Sequence, residues 1–159
     1  MTTVTNPSDD FPAPPRLGLD CPDGWHPLPD AGQALAIIKD VPDGEFRPNV
    51  IVAVRRMRRG TAMAAARREL QQRAASLREY ASIGEEERVV GGWPGYRTEG
   101  SFIDEPGGTL VQAIRLAVVD RGATEDLVQV SATCHATQAE AVWQQIRDIQ
   151  ESLTIGVDG

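Results

Sequence analysis

Phe46-Arg47-Pro48-Asn49-Val50-Ile51-Val52-Ala53-Val54 is the stretch that decides the fold, because residues 50–54 form the most β-branched run in the chain. Side chains that branch at Cβ favour the pleated backbone of a strand. Pro48 restricts the residue before it to extended geometry, so the chain enters this strand already extended. We therefore predict a central β-strand that begins at Val50.

Strand patterns recur on both sides of this run. Further strands are predicted at residues 17–21, 33–39, 85–90, 96–100, 109–119 and 126–135. In the last of these, Val128, Val130 and Cys134 alternate with polar residues, as in a half-buried strand. Turns such as Pro106-Gly107-Gly108 separate consecutive strands and leave no room for crossover connections. The sheet is therefore predicted to be mostly antiparallel.

Two amphipathic helices complete the pattern. The first follows Thr61, a suitable N-cap residue, and spans roughly 18 residues. Its apolar stripe comprises Met63, Ala66, Leu70, Ala74 and Leu77. The second starts at Thr137, which forms a predicted capping box with Glu140. Its stripe comprises Val142, Ile146, Ile149 and Leu153. We predict an α+β fold of about six or seven strands, with both helices on one face of the sheet.

The composition is that of one globular domain. The chain has 159 residues, of which 41% are hydrophobic and 25% charged. We predict a flexible Pro-rich tail at 1–15, a single domain at 16–156 and a short C-terminal tail at 157–159. The net charge of −7 argues against nucleic acid or an anionic membrane as the main partner.

The N-terminal residues have neither a basic segment nor an apolar one, so they do not resemble a signal peptide. No stretch approaches the roughly 20 apolar residues needed to span a bilayer. With Met1 as the start, we expect a cytoplasmic protein, in which Cys21 and Cys134 are free thiols. Fifteen of the sixteen basic residues are Arg, a bias typical of GC-rich coding as in actinobacteria.

No pattern indicates a catalytic, metal or cofactor site. Cys21, His26, Cys134 and His135 have no spacing typical of metal ligands, and successive strand residues point to opposite faces. The chain has no G-x-S-x-G segment for a nucleophile and no glycine-rich phosphate loop. We therefore predict a protein that is not an enzyme and that binds no cofactor.

Two features are candidates for contact with a partner. The first is the arginine cluster Arg55, Arg56, Arg58 and Arg59, which could bind carboxylates of an acidic segment. The second is the set of loop aromatics Trp25, Trp93 and Tyr96, which could anchor a partner if exposed. The alternatives are a solvated strand end for the arginines and plugs of the sheet ends for the aromatics.

Several of these segments together resemble the actinobacterial LpqN/LpqT family. The resemblance rests on Pro48-Asn49-Val50-Ile51-Val52, on Gly92-Trp93-Pro94-Gly95-Tyr96, on the strand Val128-Gln129-Val130-Ser131-Ala132-Thr133 and on the closing helix with Leu153-Thr154-Ile155. It implies a PsbP-like fold, shared with DcrB-type proteins and the Ran-binding nuclear import factor, with no catalytic residues to transfer. Members of this family are typically exported lipoproteins, so a leaderless cytoplasmic chain would depart from the family pattern.

The sequence therefore favours a non-catalytic protein-binding domain, adaptor-like or chaperone-like, with an unidentified partner. The alternatives are a carrier of a small apolar ligand, which needs an apolar cleft, and an enzyme with an unrecognised site. The sequence specifies neither the oligomeric state nor the pathway.

Overall fold

The fold is known from a computed structural model, which describes residues 1–29 and 32–157. The strands are β1 (Arg16–Gly18), β2 (Trp25–Pro27), β3 (Leu35–Lys39), β4 (Asn49–Arg58), β5 (Arg78–Val90), β6 (Trp93–Asp104), β7 (Gly108–Asp120), β8 (Thr124–His135) and β9 (Thr154–Gly156). The α-helices are α1 (Ala62–Ser76), between β4 and β5, and α2 (Ala139–Glu151), between β8 and β9.

Seven of the strands form one antiparallel sheet in the order β2-β3-β4-β8-β7-β6-β5. The strand predicted from residues 50–54 is β4, which lies between β3 and β8. The α+β class and the antiparallel sheet are thus confirmed. The first predicted strand is shorter than expected and lies outside this sheet, since β1 pairs with β9 instead.

The two helices lie on opposite faces of the sheet, so the prediction that both cover one face is wrong. Val142 and Ile146 of α2 pack with Ala113 of β7, whereas Ala66 of α1 packs with Ile114, the next residue of β7. Neighbouring residues of a strand point to opposite faces. Because both parities of β7 are apolar, a single layer of helices would leave one face of the strand exposed to water.

Both helix starts are stabilised differently from the prediction. The Thr61 hydroxyl donates to the Arg58 carbonyl, and the first amide of α1, from Ala62, donates to the buried Glu125 carboxylate at 2.8 Å. Before α2, the capping box joins His135 and Gln138 rather than Thr137 and Glu140. A carboxylate from a distant strand can satisfy a helix terminus as well as a local residue can.

The predicted N-terminal tail contacts the domain at its end. Pro15 is buried, and the carbonyl of Ala13 accepts a hydrogen bond from Arg121 at 2.7 Å. The division into tail and domain stays a prediction. Of the predicted C-terminal tail, 157–159, only Val157 lies within the described residues.

Candidate binding site

The arginine cluster lies at the end of β4 and in the turn that follows, where most of its members have internal partners. Arg55 binds Glu69 of α1 at 3.0 Å, and Arg56 binds Asp126 of β8 at 3.1 Å. Arg59 donates to the carbonyl of Gly122 at 2.6 Å. Alternation along β4 sends Arg55 and Arg56 to opposite faces of the sheet. The cluster is therefore dispersed rather than a single basic surface.

Arg58 is the exception in this cluster. Its side chain is exposed and makes no hydrogen bond or ion pair with the residues that the structure describes. It is therefore the member best placed to contact a partner. The role of the cluster in binding stays a prediction.

The three loop aromatics do not form an exposed anchor. Trp25 is 6% exposed and Trp93 is half-buried, and both pack against the core on the α2 side. Tyr96 is also 6% exposed but lies on the α1 side of the sheet. For Trp25 this placement matches the alternative reading as a plug of the sheet end. Tyr96 instead forms part of a groove that the sequence analysis missed.

This groove runs between α1 and β5 and has β6 and β7 as its floor. We call it the α1–β5 groove. Its recess, of about 140 Å³, is lined by Arg67, Leu70, Gln71, Arg73, Ala74, Tyr80, Ser82, Glu85, Tyr96, Thr98, Gly100, Gln112 and Ile114. A second depression adjoins Met63, Glu87, Val89 and Pro94. The groove exists because α1 lies over β7 and β8 and leaves this face of the outer strands uncovered.

The polar groups of the groove hold one another in place. The Arg67 guanidinium lies 4.5 Å from the centre of the Tyr96 ring, and the Tyr96 hydroxyl donates to Glu85 at 2.6 Å. Burial, together with the hydrogen bond to Glu85 and its charge, raises the pKa of Tyr96. Tyr96 therefore remains a neutral donor at physiological pH. Further along, Arg73 lies 5.6 Å from the Phe102 ring centre and donates to Gln112.

A second polar cluster lies on the α2 side of the outer strands. Glu99, 3% exposed on β6, is held by two hydrogen bonds from Arg147 of α2, at 2.6 and 3.1 Å. Glu151, at the end of α2, accepts from the buried Arg115 at 2.5 Å. These pairs fasten α2 to β6 and β7. Residues of this kind can be found by sequence analysis only when charges interrupt apolar strands, as Arg115 does in β7.

The pKa of Glu99 reflects two opposing effects. Burial raises this pKa, but the hydrogen bonds and charge of Arg147, with the charges of Arg97 and Arg115, hold it below its ordinary value of 4.5. A carboxylate with a lowered pKa in the folded state stabilises the fold fully above its unfolded pKa. That contribution is lost as the pH falls through the folded-state value.

We therefore expect Glu99→Gln to destabilise the protein at about pH 6, with a deficit relative to wild type that shrinks toward about pH 3. Once the pH lies below the folded-state pKa of Glu99, the wild-type side chain is itself neutral, so little remains to lose. Denaturant unfolding over this range measures the difference. Glu45→Gln, at an exposed loop residue, is the control and should differ little from wild type throughout. A Glu99→Gln deficit that is constant with pH would contradict the assignment.

The cysteine and histidine side chains that could act in catalysis or metal binding are buried, engaged by neighbouring residues or far from one another. Cys134 is buried, and burial raises the pKa of its thiol to about 11. The His135 ring accepts a hydrogen bond from the amide of Thr137. His26 Nδ1 lies 2.8 Å from Asp40 Oδ1. Within residues 1–29 and 32–157, no group of three or more His, Cys, Asp or Glu side chains could hold a metal ion. Neither described helix has the length and apolarity that crossing a membrane requires.

The chain has an α+β fold, a sheet with one helix on each face, that resembles the folds of PsbP and Mog1. It belongs to the Lpp-LpqN family, described as "Probable lipoprotein LpqN", whose model matches residues 3–156. This confirms the family resemblance. A search of curated proteins finds no match. Since the family is described as lipoproteins, membership does not support the predicted cytoplasmic location.

Solved structures confirm the fold at low sequence identity. LpqN of Mycobacterium tuberculosis, involved in cell envelope biogenesis, matches with a TM-score of 0.77 and 19% identity, covering 91% of this chain and 86% of that one. PsbP of the cyanobacterium Synechocystis matches at 0.57 and 14%, covering 98% of each chain. The Ran-binding protein Mog1p of Saccharomyces cerevisiae matches at 0.54 and 12%, covering 87% and 89%. These likenesses show a shared fold.

Proposed function

We propose that the protein is a non-catalytic binding domain that holds a protein partner in the α1–β5 groove and serves cell-envelope biogenesis. The observation that carries the proposal is the groove itself. Its donors and aromatic rings are fixed by internal contacts, such as that of Arg67 with Tyr96. Groups that are already ordered lose little conformational freedom when a partner binds, so more of the contact energy appears as affinity.

The size and lining of the recess beside α1 support a protein partner over a small apolar ligand at that point. A recess of about 140 Å³ is smaller than the roughly 300–1,000 Å³ of typical small-molecule sites. A recess of this size can hold single side chains of a protein partner. Arg and Tyr, which line it at Arg67, Arg73, Tyr80 and Tyr96, are enriched where protein interfaces concentrate their binding energy.

Other observations support the remaining parts of the proposal. The envelope role is supported by family membership and by the involvement of LpqN of Mycobacterium tuberculosis in cell envelope biogenesis. The non-catalytic role is supported by the contacts that engage His26 and His135, and by the burial of Cys134. Arg58 is proposed as a further contact outside the groove.

A pair of adjacent glutamines provides the test. Gln71 and Gln72 are both exposed on α1, but only Gln71 lines the groove. We expect a photo-crosslinking phenylalanine analogue at position 71, expressed in the native cell, to capture a discrete protein partner. The same analogue at position 72 should capture little of it. Fractionation of the crosslinked product also tests the predicted cytoplasmic location.

A second matched pair tests the energetics. Arg67→Ala should reduce the crosslink from position 71 by about tenfold, as expected when an interface loses a central arginine. Arg68→Ala, at an exposed residue outside the groove lining, should leave it unchanged. Equal capture from positions 71 and 72, or equal effects of the two arginine variants, would contradict the proposal.

A further inference from the structure

The outer edge of β5 is open along a strand of 13 residues. β5 ends the order of the main sheet and, among the described residues, pairs only with β6. The backbone groups on its other side are therefore available to another strand. Two large apolar side chains are exposed on this strand, Ile83 at 56% and Val89 at 67%.

The usable part of this edge is its C-terminal half. Glu79 has a positive φ of 50°, and the pairing with β6 shifts register between Arg78 and Ala81 and again around Ile83. Such bulges bend a strand and interrupt its ladder. From Gly84 to Val90 the pairing with β6 is continuous, so this segment can accept a regular additional strand.

Two carboxylates lie on the α1 face of this segment, and neither accepts a hydrogen bond from a cation among the described residues. Glu85 accepts from the neutral phenol of Tyr96, and Glu87, whose side chain is 84% exposed, lies 3.6 Å from Arg67. Glu86, on the other face, is held by Arg97 at 2.6 Å. The edge thus presents two acidic side chains at alternate positions, with Ile83 before them and Val89 after them.

The same charges act against a second copy of this chain. The antiparallel two-fold pairing that sets Ile83 opposite Val89 is centred on Glu86. In that register Glu85 would face Glu87, and Glu86 would face its own copy. Like charges directly opposite one another destabilise paired strands. Charged residues on an edge strand commonly prevent unwanted pairing between copies of a protein. Acidic residues nevertheless leave the edge open to a strand of opposite charge.

We infer that the 84–90 edge of β5 accepts an extended segment of another protein, with basic side chains at two alternate positions and apolar ones beyond them. This inference rests on the proposed function, because β5 is the outer wall of the α1–β5 groove and the segment would belong to the same partner. Backbone hydrogen bonds between β5 and the segment would provide the affinity. Glu85 and Glu87 would favour a segment with basic side chains.

The probe is an acetylated heptapeptide of sequence Val-Thr-Lys-Thr-Lys-Thr-Val, titrated into the isotope-labelled full chain and followed by NMR. We expect saturable amide shifts along residues 84–90 and slower hydrogen exchange at alternate amides of β5. The control peptide carries Glu in place of both Lys residues. It should bind about tenfold more weakly, since two favourable cross-strand pairs become unfavourable.

A charge exchange on the protein completes the test. The double variant Glu85→Lys and Glu87→Lys should reverse the preference between the two peptides. Glu45→Lys with Glu140→Lys changes the net charge equally at exposed sites away from β5 and should preserve it. Absence of saturable shifts in β5, or equal binding of both peptides, would overturn the inference. Because the groove is tested by crosslinking in cells, crosslinks from position 71 without peptide binding would refute only the edge inference.

Discussion

Replacing Asp126 with alanine should lower the free energy of unfolding by about 3 kcal/mol or more, because it leaves a buried charge without its partner. The Asp126 side chain is 1% exposed and binds both Arg56, at 3.1 Å, and Arg121, at 2.7 Å. Arg121 is itself only 4% exposed, so water cannot replace the lost carboxylate. Arg121 also donates to the carbonyl of Ala13, and the N-terminal segment should loosen as well.

Denaturant unfolding at neutral pH measures this effect. The control is Glu69→Ala, which removes the partner of Arg55 in the same arginine cluster. That pair is exposed, at 55% for Glu69 and 49% for Arg55, and exposed pairs contribute about 0–1 kcal/mol. Similar losses for the two variants would mean that the buried ion pairs of Asp126 contribute no more to stability than an exposed pair does.

Replacing Gly95 with alanine should destabilise the protein by about 2–3 kcal/mol, a typical cost of adding a methyl group where a packed interior has no space. A Cβ at this position would overlap the carbonyl oxygen of Leu116 and approach Val90 Cγ2 to 2.8 Å. One of these obstacles is the backbone of β7, which cannot move without disturbing the sheet. The glycine of the Gly92-Trp93-Pro94-Gly95-Tyr96 segment is thus required by packing.

Gly84→Ala is the matched control, since Gly84 also lies in an outer strand of the main sheet, β5. The nearest atom to a Cβ there is Arg97 Nη2 at 4.0 Å, so the added methyl group fits. Alanine restricts the unfolded chain more than glycine does, and we expect this variant to match or slightly exceed wild-type stability. Thermal unfolding of the two variants distinguishes them, and equal melting temperatures would refute the packing argument for Gly95.

Features that depend on local spacing could be predicted from the sequence. The α2 stripe is an example, because Val142, Ile146 and Ile149 are all buried as their spacing requires. The prediction that both helices cover one face was wrong although β7 carries a signal against it. Its consecutive residues Ala113 and Ile114 point to opposite faces and are both apolar, and that pattern indicates burial on both faces.

The candidate site depended on the tertiary structure to a greater degree. Tyr96 was identified from its sequence context, but its role in the α1–β5 groove arises from contacts with Arg67 and Glu85, which belong to other elements. The arginine cluster shows the same limit. Arg56 is neutralised by Asp126, 70 residues away, so a local count of charges overstated the basic surface.

By itself, the sequence determined the α+β class, the antiparallel pairing and the family, because strand alternation, helical spacing and turn chemistry act over a few residues. Only the tertiary structure decided which face each helix covers, which carboxylates pair with the arginine cluster and where the groove lies. The physical reason is that burial and charge pairing are set by residues far apart in the chain, which the fold brings together.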